Sequence, residues 1–373
     1  MNWNDKTAAN VKAIKPSGIR KFFDIAAQVK GVLSLSIGEP DFAAPDKVLA
    51  AMKASLDAKE TSYTGNSGMM ELREAISHHF EQRYGVHYDP KDEILVTVGV
   101  SEGLAMALLA ITEPGDEVII PDPAYVAYPA SVELAGGALE KVITPKTKAI
   151  VIGYPNNPTG TVMSAEELMP IAKFAEEHDL IVLSDEIYCE LMYGDAKFTS
   201  FAKLPGMRER TVIFNGFSKA YAMTGMRLGY VCAPREGLAP ILKLHQYAIM
   251  CANTTAQVGG ITALKECDDD VEAMRQEYDR RRKVIYKGLC DMGLPVFEPK
   301  GAFYIFPDIR CTGMTSAEFC EKLVQEEKVA VVPGTAFGDQ GEGFVRISYA
   351  ASMDTIQEAL KRMARFVAQY RKD

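Results

Sequence analysis

Lys219 and Arg227 stand eight residues apart, just past the apolar run Thr211-Val212-Ile213-Phe214. A lysine amine can form a Schiff base with a carbonyl, and an arginine offers a phosphate a rigid fork of donors. Asn215 and Gly216 begin a stretch of small residues that lets backbone come close to a ligand. A ligand that needs both functions, a Schiff base at one end and a charge partner at the other, is pyridoxal phosphate. By residue type alone, a surface lysine and a surface arginine account for the pair equally well. Asp185 follows a second apolar run, Leu180-Ile181-Val182-Leu183, in Ser184-Asp185-Glu186-Ile187-Tyr188. An acid at that place commonly caps the next turn; against a pyridine ring it would keep the ring nitrogen protonated. Arg346 interrupts the apolar strand Val345-Arg346-Ile347-Ser348. A buried guanidinium is costly unless paired, and either a salt bridge or a substrate carboxylate held bidentately would pair it.

These residues need a frame that brings strand ends together. Near-continuous apolar runs at 93–99, 117–121, 149–153, 180–184, 211–214 and 229–233 read as strands, with helices expected at 102–111 and 128–134. Such an alternation indicates α/β architecture, a largely parallel sheet covered by helices on both faces. Open sheets of this kind place ligands at the carboxyl ends of their strands, where Lys219 and Asp185 both fall. Three weaker signals share that edge. Gly99-Val100-Ser101-Glu102-Gly103 joins a strand to a helix and presents N–H groups to an anion. Tyr125 ends Pro121-Asp122-Pro123-Ala124-Tyr125, and Tyr154-Pro155-Asn156-Asn157-Pro158-Thr159-Gly160 follows another strand. Taken singly these are a βα turn, a packing aromatic and an ordinary turn. A charged helix from Asp270 to about Asp291 leads out of the layer, and runs at 302–306, 329–332 and 345–348 with a final helix from Asp354 form a separate α+β unit. The first ~40 residues are too short to fold alone and are expected to pack on that unit. The predicted organisation is a large domain over 42–275 and a smaller, discontinuous one from 1–41 with 276–373.

Composition bounds the partners. The 373 residues are 47% hydrophobic and 24% charged, which suits a globular chain long enough to bury a sizeable core. A net charge of -9 and a pI near 5.3 argue against nucleic acid or an anionic membrane as partner. Seven cysteines lie scattered without a CxxC pair. They point to neither a disulfide framework nor a zinc site, and no metal is expected. The first residues lack a signal peptide's basic start and apolar core, and no uncharged run approaches the ~20 residues of a membrane helix. The expected location is cytoplasmic.

The spelling of 215–229, from Asn215-Gly216-Phe217-Ser218-Lys219 to Met226-Arg227-Leu228-Gly229, resembles without a mismatch the lysine signature of class I/II, fold type I, pyridoxal-phosphate-dependent aminotransferases. The similarity is to their aspartate/aromatic aminotransferase-like branch. Ser36-Ile37-Gly38-Glu39-Pro40-Asp41-Phe42, Tyr63-Thr64-Gly65-Asn66-Ser67-Gly68, 99–103, 121–125, 154–160, 185–188 and 343–350 match further family motifs in order, from about Pro16 to the last helix. The resemblance implies Lys219 as Schiff base and proton shuttle. It implies Arg227, Ser218 and, mostly through backbone, Val100, Ser101 and Glu102 on the phosphate. Tyr125 would stack on the ring, Asp185 hold its nitrogen, and Tyr188 and Asn157 meet its oxygen. Arg346, Asn157, Tyr125 and the backbone of Gly38 would receive the substrate. Tyr63 would reach the phosphate of the neighbouring subunit, which implies a homodimer with shared active sites. The implied activity moves an amino group from an amino acid to a 2-oxo acid, 2-oxoglutarate being the expected acceptor, with ping-pong kinetics. A pyridoxal-phosphate carbon–sulfur β-lyase, which shares the fold, is the alternative.

The chain also departs from the family pattern. Between Gly136-Gly137 and Lys148 relatives usually carry a longer segment, so 137–148 is either trimmed here or the sequence skips a surface stretch. Met226 stands where tryptophan is frequent, and Gly216 where some relatives have a serine on the phosphate. Aspartate-specific members have a lysine at the position of Ser101. Without it, and with apolar surface from Tyr125, Ile14 and Tyr63, aromatic or aliphatic donors are expected ahead of aspartate. Arg20 or the N-terminal segment would then help receive glutamate. The donor itself is left undetermined.

Overall fold

The computed structural model describes residues 1–14, 18, 29–140 and 142–372; the expectations that touch Pro16, Arg20 and Lys141 lie outside them. The strands are β1 (Leu33–Ser34), β2 (Ile94–Thr97), β3 (Glu117–Ile119), β4 (Ala138–Glu140), β5 (Thr147–Gly153), β6 (Ile181–Asp185), β7 (Thr211–Gly216), β8 (Gly229–Cys232), β9 (Tyr304–Ile305), β10 (Val329–Ala330), β11 (Val332–Pro333) and β12 (Val345–Ser348). Seven of them form the central sheet in the order β2-β8-β7-β6-β5-β3-β4. β8 runs antiparallel to both neighbours and the other pairings are parallel.

Side chains alternate across a strand, and here both sets are apolar and buried. Leu95, Val151, Leu183, Val212, Phe214 and Val231 enter one core. Their neighbours Ile94, Val96, Ile213 and Cys232, with Ile150, Ile152 and Val182, enter the cores opposite. A sheet buried on both faces must be covered by helices. Those described are α1 (Ala9–Ala13), α2 (Asp46–Asp57), α3 (Met70–Tyr84), α4 (Gly99–Ile111), α5 (Ala127–Leu134), α6 (Ala165–Glu177), α7 (Arg235–Ala248), α8 (Thr254–Glu266), α9 (Asp268–Asp291), α10 (Ser316–Lys322) and α11 (Met353–Tyr370). α6 begins at a capping box, in which Ser164 and Glu167 satisfy each other's backbone donors. α4 rests directly on the sheet, because a Cβ at Gly103 would stand 2.6 Å from Val231.

A fourth core belongs to the C-terminal part. It gathers Leu35 with Ile285, Phe303, Ile347, Met363 and Phe366, among others. β1 pairs in parallel with β10, the Leu35 amide donates to the Ala330 carbonyl, and β9, β12 and β11 make a small antiparallel sheet.

β4 is an element that periodicity does not announce, being three residues at an edge. It and β5 flank β3, with Glu140 level with Ile119 and Thr147 level with Glu117. Parallel strands usually need a crossover of a dozen or more residues. Between Glu140 and Thr147 the sequence has six residues, and the register of the two strands on β3 differs by only two residues.

Candidate active site

The carboxyl ends of β5, β6 and β7 open into a cavity of about 480 Å³ closed on its other side by β9 and β12. Lys219 reaches it from the turn after β7. Its Nζ donates to the Gly38 carbonyl at 2.7 Å and lies 5.8 Å from the rings of Tyr188 and Phe303. Burial, and then the nearby positive charge of Arg346, lower its pKa to about 8. A large fraction of this amine is therefore neutral near pH 8, as a nucleophile or proton acceptor must be.

Asp185 is the last residue of β6. Its Oδ2 accepts from the Tyr128 hydroxyl at 2.8 Å and its Oδ1 from the Ile187 amide at 3.2 Å. Burial raises its pKa, and these two donors and Lys219 oppose the rise. Tyr128 escaped sequence reasoning; it sits one helical turn beyond Tyr125, so the spacing was visible but its partner on β6 was not. The adjacent Glu186 turns away, with Oε1 accepting from Ser184, Ser200 and the Phe201 amide. Burial lifts its pKa to about 7. It does not line the cavity, in keeping with a structural part.

Arg346 comes from β12 and is buried between the rings of Tyr304 and Phe337, 4.6 and 4.8 Å from their centroids. Nη1 donates to Asn157 Oδ1 at 3.0 Å and Nη2 to the Ser36 carbonyl at 2.7 Å, while Nε has no partner. No carboxylate of this chain neutralises it among these contacts. A guanidinium so placed, lining the cavity without a carboxylate against it, suits an incoming carboxylate. Tyr304, also unforeseen as a site residue, shares a 2.8 Å hydrogen bond with Tyr188. Its hydroxyl occupies the space a Cβ at Gly38 would need, at 2.7 Å.

The opposite end of the cavity is built for an anion. α4 starts at Gly99 without a side-chain cap, so its first-turn N–H groups are free to face a ligand. Arg227, at φ 51°, donates through Nη1 to the Thr224 carbonyl and lays its guanidinium against Gly99, where a Cβ would meet Nη2 at 2.7 Å. Gly229 presses on the Gly99–Val100 peptide from behind, its own Cβ position 2.8 Å from the Val100 nitrogen. Gly216 in turn abuts Gly229, which explains why no serine can stand there. Val100, Ser101, Ser218, Tyr125 and Arg227 all line this end.

Two residues expected at a phosphate, Glu102 mostly through backbone and Tyr63 at the neighbour's, do not line this chain's cavity. The Glu102 side chain points away from the cavity: Oε2 accepts from the Val98 amide at 2.6 Å and Oε1 pairs with His245 Nδ1 at 2.6 Å. Its helical position forces this, because one face of the first turn meets the ligand and the other meets α7. Tyr63 is 80% exposed and outside its own chain's cavity. Of the apolar surface expected from Tyr125, Ile14 and Tyr63, only Tyr125 lines the cavity. Glu39, which sequence reasoning left without a role, lines it too and accepts from the Thr224 hydroxyl at 3.2 Å.

Pyridoxal phosphate fits these groups. Uncapped N–H donors and an arginine match a phosphate, a buried carboxylate matches a ring nitrogen, and a partly neutral lysine matches a carbonyl carbon. Comparison with known proteins agrees. The profile of the family described as aminotransferase class I and II matches residues 30–363. The chain is 52% identical to the putative aminotransferase YugH of Bacillus subtilis, over 96% of this chain and 97% of that protein. It is 47% identical to an aspartate aminotransferase of Pyrococcus abyssi, over 95% and 97% respectively. The crystal structure of an aromatic aminotransferase from Pyrococcus horikoshii superposes with a TM-score of 0.89 at 46% identity, covering 93% of this chain and 99% of the other. The alignment with the Bacillus protein spans 375 columns, more than 96% of 373 residues can fill. That relative thus carries residues absent from this chain.

Proposed function

The chain belongs to the aminotransferase class I and II family, fold type I enzymes that use pyridoxal 5′-phosphate, and from that premise we propose how its own residues divide the work. The convergence of Lys219, Asp185, Arg227 and Arg346 on one cavity carries the reading. When bound, the cofactor supplies a carbonyl for amines and a ring that accepts electrons. Arg227, Ser218 and the amides of Val100, Ser101 and Glu102 hold its phosphate. Asp185, oriented by Tyr128, keeps a proton on the ring nitrogen. Tyr125 covers the ring, and Tyr188 and Asn157 donate to its oxygen. Arg346 takes the substrate α-carboxylate, with Asn157 fixing one arm of its guanidinium fork and the Gly38 backbone alongside. Lys219 Nζ accepts a proton from the substrate's α-carbon and later returns one, a task its lowered pKa permits.

The finer reading has 2-oxoglutarate as acceptor, in ping-pong order. For the donor we favour aromatic or aliphatic amino acids over aspartate. Among the described residues the cavity's cations are Lys219, Arg227 and Arg346, each already given a task, and Glu39 adds negative charge. A second carboxylate on the donor therefore lacks a further cation among the described residues that line the cavity. The reading also includes a homodimer whose sites take Tyr63 from the neighbour, supported by exposed Tyr63, Tyr247 and Met250. It keeps the division into 42–275 and 1–41 with 276–373. A cytoplasmic setting accords with seven free thiols, and no described helix is long and apolar enough to cross a membrane.

The test is a comparison of kcat/KM for phenylalanine, leucine, alanine and aspartate with 2-oxoglutarate as acceptor. Aspartate leading by tenfold, about 1.4 kcal/mol, overturns the ranking. Release of pyruvate and ammonia from cystathionine without any acceptor would instead mark a β-lyase.

A further inference from the structure

Behind the phosphate end of the cavity lies a buried pair that the mechanism above leaves idle. Glu102 belongs to the opening turns of α4, and its two oxygens are used in different directions. Oε2 takes the Val98 amide, the donor immediately ahead of the helix, and Oε1 takes His245 Nδ1, both at 2.6 Å. His245 lies near the end of α7 and is fully buried, with Nε2 lacking any partner. An imidazole with one engaged and one solitary nitrogen is read as donating from Nδ1. Glu102 is thus held at both ends, and through it α7 is tied to residue 98, where the chain turns into the cradle.

Thr97 also restrains the cradle, its hydroxyl donating to the Gly99 carbonyl at 3.0 Å. The α4 start has no side-chain cap; Arg227 lies against it on the cavity side and Gly229 beneath, and the amide of residue 98 is held by Glu102. A buried carboxylate that loses one of two donors is left partly unsatisfied and will move to recover one. Movement of Glu102 shifts Val98 and with it the amides of the next three residues.

We propose that His245 is a positioning residue which, through the Glu102 carboxylate, fixes the first turn of α4 for the cofactor phosphate. This rests on the assignment of that turn and Arg227 to the phosphate. His245 does not line the cavity, so its effect reaches the cofactor only through the turn. The consequence is selective: binding of pyridoxal 5′-phosphate depends on His245, whereas binding of pyridoxal, which lacks the phosphate, does not.

The experiment measures cofactor release from the holoenzyme by visible absorption, and the affinities of the stripped protein for pyridoxal 5′-phosphate and for pyridoxal. His245→Leu removes the donor, and His245→Asn returns an N–H near the place of Nδ1. Release from His245→Leu should quicken by about tenfold, with pyridoxal affinity unchanged and the Asn variant restored toward wild type. Equal losses for both ligands, or no change in release, overturn the proposal. If His245→Leu fails to fold, the Asn variant and Glu102→Gln decide it: wild-type discrimination between the two ligands in Glu102→Gln sinks the idea. Arg227→Ala is the control for the premise. If it leaves the discrimination intact, the phosphate assignment is wrong; if it abolishes it while His245→Leu does not, only the role of His245 fails.

Discussion

Lys219 shows how one residue's surroundings set its chemistry. A lysine in water holds its proton to about pH 10.4, but here burial and Arg346 bring the value to about 8. The linkage follows from proton counting. Between pH 8 and 10.5 the unfolded chain keeps a proton on this amine that the folded, cofactor-free protein has released, so stability rises with pH across that window and is level below it. Measured as the difference between wild type and Lys219→Met in urea unfolding, wild type should gain about 3 kcal/mol from below pH 8 to above pH 10.5. A gap that does not change with pH would show the amine to be hydrated. At this scale Arg346 stood out because a charged side chain within an apolar strand conflicts with its setting, whereas Lys219, Asp185 and Arg227, each with an ordinary reading by residue type, were picked out by the family spelling. Tyr128 and Tyr304 were not, because a tyrosine in an apolar segment satisfies the local pattern, and its hydroxyl's partner is far along the chain.

Among the elements, α4 is set close against the sheet. Gly103 lets it lie against β8, and the distance to Val231 leaves no room for a methyl group. Gly103→Val should lift the helix, costing about 1–3 kcal/mol of stability and loosening the cofactor, because the start of the helix moves with its body. Thermal unfolding and cofactor release should change together; a variant less stable but with normal release would mean the first turn is anchored independently of the helix. The strands β2 and β5 to β8 were readable from apolar runs because burial on both faces removes polar interruptions. β4 was not. It has three residues and one neighbour, β3, and its side chains are half-buried or exposed. Nothing in its composition demands a strand, and it forms because β3 leaves a ladder to be paired. The start of α4 was also misjudged, by three residues: glycine and the small residues of 99–101 look like loop, yet the anion cradle is helix from Gly99 onward.

For the whole molecule, the open question is one of assembly. A single chain leaves Tyr63 80% exposed, on a loop fastened to the 250–254 region by the Asn66 and Thr254 side chains. An aromatic held at a fixed place in solvent suits a neighbour's site better than its own. Sedimentation should give twice the 40.9 kDa chain mass, and Tyr63→Phe should weaken pyridoxal 5′-phosphate binding without altering that mass. A 40.9 kDa species with full activity would refute the shared site. The homodimer expectation came only through resemblance, since an exposed tyrosine in a loop carries no signature of its own. The brief passage from β4 to β5 has a different kind of consequence. Val142 within it is 65% exposed, and none of 142–146 lines the cavity. Lengthening such a connection costs only about 0.6 kcal/mol per doubling. Residues 142–146 are therefore a port for grafting: a fluorescent or affinity module spliced there would report on the enzyme while leaving the cavity lining untouched.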